Sequence, residues 1–138
     1  MSISIATIED AIIDRLEALS LFRGVWSIAR RDPQTLPLAQ PAAEVVFDGD
    51  RYPPGNNPRP VPTMQWLVFV GAKNIRSSGA ASRDVYTLID AVRDDLDHRT
   101  FPLLNTGELR IINRELIDYH QGVITYRLVF AILVPLDL

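Results

Sequence analysis

Residues 123–134, VITYRLVFAILV, alternate with a period of two, and an extended strand is the structure that period suits. Ile124, Tyr126, Leu128, Phe130, Ile132 and Val134 share one face and are apolar throughout. The opposite face carries Val123, Thr125, Arg127, Val129, Ala131 and Leu133, with a single arginine set into it. A strand apolar on one face and mostly so on the other needs a partner strand and cover for its side chains. The rest of the chain therefore has to supply strands and a covering layer.

The strands are legible. Leu109–Tyr119 runs through Gly122 into the closing strand as a hairpin, the glycine supplying the positive φ of the turn. Leu109 and Ile111 fall on one face of that partner and Leu116 on the other, so a bulge is expected between them. Met64–Val70 is apolar on both faces apart from Gln65 and reads as a central strand, with a loop over 71–81 after it. Ala42–Phe47 and the short VWSIA after Gly24 complete the set.

Two helices precede and interrupt these strands. Ile8, Ile12, Leu16 and Leu19 recur at helical spacing over residues 8–20, with Thr7 placed to cap them. Val85, Leu88, Ile89, Val92 and Leu96 form the apolar stripe of a second helix from Ser82 to about Asp97. The order is α-β-β-β-α-β-β. It specifies an α+β fold: a mixed, mainly antiparallel sheet of about five strands with two helices on one face. Two helices cover one face of such a sheet. The other is expected to find its cover on a neighbouring subunit.

At 138 residues the chain is expected to be one domain, 1–138. It has no cysteine, so disulfides and thiolate chemistry are excluded. The net charge of −3 argues against a general nucleic-acid binder, which needs a concentrated basic surface, and no sequence-specific readout is expected. The apolar runs WLVFVGA and LVFAILVPL fall short of the ~18 residues of a membrane-crossing helix, and no membrane partner is expected. Trp26, Trp66, Phe47, Phe69 and Phe130 read as core residues.

Chemistry has few candidates. No nucleophile elbow, zinc-protease helix, phosphate loop or dinucleotide fingerprint occurs. Asp90, Asp94 and His98 stand four apart on one helical face and could begin a divalent-metal site, the basis of a minor alternative reading as a metal-dependent hydrolase. No second acidic cluster completes it, so no catalytic residue, metal or cofactor is assigned.

The polar features suit assembly better. Asp94, Asp95 and Asp97 lie in the last turn of the second helix, where the dipole disfavours acids by a few tenths to ~1 kcal/mol each. Acids kept there suggest a partner's arginines. All but one of the 14 basic residues are arginine, the residue suited to forked interface pairs. Arg30, Arg31, Arg51 and Arg59 are the candidates on a neighbouring copy, with Arg127 set into the apolar strand. The stretch DGDRYPPGNNPRPVP, 48–62, carries five prolines and is expected to be a stiff projecting loop offering Arg51, Tyr52 and Arg59 to a partner.

Three stretches, IEDAIIDRLEAL followed by FRGV, VYTLIDAVRDDLDHRTFP, and LRIINRELIDYHQGVITYRLVFAILV, together resemble the tail terminators of long-tailed phages, in the branch found in Mu-like phages and prophages. The resemblance spans nearly the whole chain as a pattern of elements. It implies a non-enzymatic virion protein that forms a ring, typically a hexamer, on the head-proximal end of the tail tube. Such a ring ends tube growth and offers a surface to the head–tail connector or neck. It also implies assembly in the host cytoplasm and residence in the virion tail. A connector or neck protein of similar size is the alternative.

Overall fold

A computed structural model describes residues 4–27, 41–52, 54–55, 62–73, 78–101, 106–120 and 122–133. The elements run α1 (Ile5–Ala18), β1 (Gly24–Ser27), β2 (Ala42–Arg51), β3 (Thr63–Lys73), α2 (Ser78–Leu96), β4 (Leu109–His120) and β5 (Val123–Leu133). This is the expected order. The strands form one mixed sheet, β1-β2-β3-β5-β4, in which β1 pairs parallel to β2 and every other pairing is antiparallel.

Several boundaries move, each for a local reason. The N-cap of α1 is Ser4, whose Oγ accepts the Ala6 N–H at 3.1 Å, so the helix starts before Thr7. β2 does not stop at Phe47. Its register slips by one residue between Phe47 and Gly49, Gly49 takes φ 111°, and Asp50 and Arg51 continue opposite Met64 and Thr63. Asp48–Arg51 therefore belong to the sheet, and the proline-rich connection begins at Tyr52. Pro53 and residues 56–61 of that connection lie outside the described residues. β3 runs on to Lys73, and α2 starts at Ser78, so the loop expected over 71–81 is shorter.

Both helices lie on one face. Ile8, Ile12, Ile13 and Leu16 of α1 and Val85, Ile89, Val92 and Leu96 of α2 pack onto Val45, Trp66, Val68, Val70, Leu128, Phe130 and Ile132 in a single core. Each fully buried aliphatic or aromatic side chain there contributes ~1.5–3 kcal/mol. Trp66 and Phe130 are central, and Phe47 packs beside Trp66 with ring centroids 5.1 Å apart. Trp26 and Phe69, expected in the core, lie elsewhere. They pair in register with Glu44 and so occupy the face turned away from the helices, where both are half-buried.

The expected irregularity in β4 is present twice, with Ile112 and Ile117 as the extra residues. The first bulge returns Leu116 to the face that Leu109 and Ile111 occupy, which is why simple alternation placed it opposite.

Candidate interaction surface

On the face without helices, the strand registers align a row across the whole sheet: Trp26, Glu44, Phe69, Arg127 and Glu115. Beside it run Val46, Leu67, Val129 and Asn113. Arg127 pairs with Glu115 of the neighbouring strand, while its Nε is buried and finds no hydrogen-bond partner among the described residues. Trp26 lies back over Gly24, beside a shallow hollow bordered by Glu17, Phe22 and Arg23. A second hollow, at the far end of this face, is lined by Thr63, Gly107, Glu108, Arg110, Ala131 and Leu133.

The outer edge of the sheet is β4, and it carries an unusual load. Ile112, Leu116, Ile117 and Tyr119 are each between 42% and 55% exposed. Tyr86 of α2 meets Tyr126 edge-on at 6.1 Å just behind them. Burial, then the hydrogen bond with Tyr86, raises the Tyr126 phenol above its ordinary value. Exposed apolar side chains gathered on one strand mark contact sites more often than scattered ones do.

The acids at the end of α2 have partners within the chain. Arg15 of α1 grips Asp95 through two of its guanidinium nitrogens, Nη2 to Oδ1 at 2.6 Å and Nε to Oδ2 at 3.3 Å. Arg99 adds a bond from Nη2 to Oδ1 at 3.2 Å and one from Nε to the Asp95 carbonyl. Asp95 is only 10% exposed, and its carboxylate holds the Arg15 guanidinium above its usual value. Asp97 lies past the last helical residue, and its Oδ1 accepts the Ile111 N–H at 2.9 Å. The dipole argument for a partner's arginines is thus met internally at these two positions. Asp94 is 70% exposed, bonded only to its neighbour Arg93 among the described residues. Arg51 bonds Asp48 at 3.2 Å, and Tyr52 is exposed. Arg30, Arg31 and Arg59 lie outside the described residues.

The Asp90, Asp94 and His98 trio does not converge. Asp90 is bonded to Arg114 at 2.7 Å, and that bond, ahead of Arg93 nearby, lowers its pKa. His98 sits beyond the helix at φ 64° with Nδ1 3.2 Å from Glu108, whose own pKa is lowered first by His98 and then by Arg110. Among the described residues no group of three His, Asp or Glu side chains is placed to hold a metal ion. No described helix is long and apolar enough to cross a membrane.

The turn after α2 also lies along the outer edge of β4. The His98 N–H donates to the Leu109 carbonyl at 2.7 Å, and the Leu109 N–H donates to the Arg99 carbonyl at 2.8 Å. Sequence reasoning missed this strap and the Arg15–Asp95 grip. The i, i+4 spacing of Asp95 and Arg99 was the one local signal available.

No family model matches the sequence, and no curated protein matches it. A chain of the solved structure titled "Virion of native gene transfer agent (GTA) particle" aligns over 89% of this chain and 90% of its own length, with a TM-score of 0.57 and 14% identity. At that identity the likeness is one of fold.

Proposed function

We propose that this chain is a structural virion protein, a tail terminator that closes into a ring on the head-proximal end of a phage tail tube. The observation that carries the reading is the fold shared almost end to end with a chain of a virion particle. The surface chemistry agrees with assembly: exposed apolar side chains on β4, and a second sheet face that mixes apolar with charged side chains. The ring, its six copies and its tube and neck partners come from the resemblance in the sequence. In this reading the subunit assembles in the host cytoplasm and ends in the virion tail.

Among the interface candidates, Asp94, Arg51 and Tyr52 present exposed groups, and Arg51, with Arg30, Arg31 and Arg59, stands as a proposed partner for the Asp94 of a neighbouring copy. Arg127 reaches a neighbour only through the open face. Asp95 and Asp97 act from within the subunit, fixing the helix that presents Asp94.

The test is electron microscopy of purified protein mixed with tail tubes. Rings seated on one tube end, with tube growth halted, are the expected result. In a parallel mixture with heads, protein bound only at the head vertex would favour the connector role, and bare tube ends together with unoccupied heads would refute both.

A further inference from the structure

β4 is the outermost strand of the sheet, and such an edge ordinarily offers unpaired N–H and C=O groups to another chain. Here the first stretch of that edge is already taken. Leu109 uses both its backbone groups on His98 and Arg99, and Ile111 gives its N–H to the Asp97 carboxylate. Beyond the strap, the bulges at Ile112 and Ile117 leave only Asn113–Leu116 in regular register between them. Bulges bend an edge and break the ladder that an added strand would need.

We infer that Asp97, His98 and Arg99 act as an edge guard, occupying both outward-facing groups of Leu109 and the N–H of Ile111 so that a second copy of this chain cannot add a strand to β4. The exposed apolar side chains of β4 then remain free for contacts made by side chains, while the backbone at the start of the strand is withheld. The inference stands on hydrogen bonds and register alone and does not depend on the role proposed above. For any subunit that builds a closed assembly it has a use, because a sheet that accepted further strands would grow without limit.

Two variants separate the guard from general effects of charge. Asp97→Ala removes the acceptor, and Asp97→Asn keeps an oxygen in its place. In the alanine variant the Ile111 amide should exchange with solvent about ten- to a hundredfold faster, the range for losing a hydrogen bond to a charged group. Sedimentation velocity should then show concentration-dependent species larger than any in the wild type, while the asparagine variant matches the wild type. An alanine variant that exposes the Ile111 amide without growing larger overturns the inference, as do two variants that associate alike. If the alanine variant does not fold, exchange in the wild type decides. The Ile111 amide should be protected while those of Arg114 and Leu116, turned to the same side beyond the strap, exchange fast, and equal rates overturn the guard.

Discussion

Gly24→Ala is a small change with a large expected effect. A Cβ at residue 24 would stand 2.5 Å from Trp26 Cζ3 and closer still to Cη2 and Cζ2, with the ring lying across the glycine. Residues two apart on a strand share a face, so the indole has no route around the new methyl and must leave. Trp26 is half-buried. A tryptophan buries ~150–250 Å² when enclosed, and surrendering part of that at ~25 cal/mol per Å² costs about 2 kcal/mol. Overpacking changes in ordered sites fall in the same range, ~1–3 kcal/mol. For a domain of this size that is a drop of roughly 6–8 °C in Tm.

Fluorescence gives the change a specific signature. Trp66 is fully buried, so a red shift of the emission in folded Gly24→Ala protein reports Trp26 moving into water. Trp26→Ala should be cheaper to combine with Gly24→Ala than the separate costs suggest, because the second change removes the clash that the first creates. A Gly24→Ala protein with unchanged melting and emission would refute the close approach. So would a cost that is the same with and without the Trp26 side chain.

The Arg15–Asp95 grip should appear in a double-mutant cycle as a coupling of about 1–2 kcal/mol, reduced from the value of a buried pair because both arginines are more than a third exposed. Urea unfolding checks it, and a coupling below ~0.3 kcal/mol would place Asp95 outside the fold's support. Arg114 holds the folded pKa of Asp90 below its ordinary value, so its contribution is present above the ordinary carboxylate range and lost as pH falls through the folded value. Asp90→Asn should flatten that acidic limb of the stability–pH curve. Tyr126 titrates above its ordinary value, so its contribution holds below pH ~10 and is lost as pH rises through the folded value. Near-ultraviolet titration should find one tyrosine ionising late, and Tyr126→Phe should remove it.

What the sequence made legible follows from the range of the signals. The closing strand was readable because its period is local: Ile124, Leu128, Phe130 and Ile132 are all buried, as alternation requires. The stripe of α2 was readable for the same reason. β2 was cut short because prolines downstream of Asp50 masked a bulge, whose only sign is Gly49 with its positive φ. Ser4 and Thr7 are equally plausible caps by type, and only the geometry of the first turn separates them. The acids of α2 were the instructive case. Composition and dipole both said that Asp94, Asp95 and Asp97 needed partners, and two of them have partners at sequence separations of 80 and 14. No spacing rule reaches that far.

The same distance argument explains why the surface divides as it does. Arg15 and Arg99 take up Asp95, and Ile111 takes up Asp97, so the C-terminal end of α2 is fixed to both α1 and β4 before any neighbour arrives. With those acids spent, the exposed groups among the described residues include Asp94, Arg51, Tyr52, the apolar side chains of β4 and the open sheet face. These are different in kind: a solvated carboxylate steers an encounter, whereas exposed leucine, isoleucine and tyrosine supply the area that holds it. Charge reversal at Asp94 should therefore change the salt dependence of any assembly more than its extent, and Leu116→Lys should do the opposite. Equal effects of the two on both measures would mean that β4 is an ordinary exposed edge and that the contact lies elsewhere.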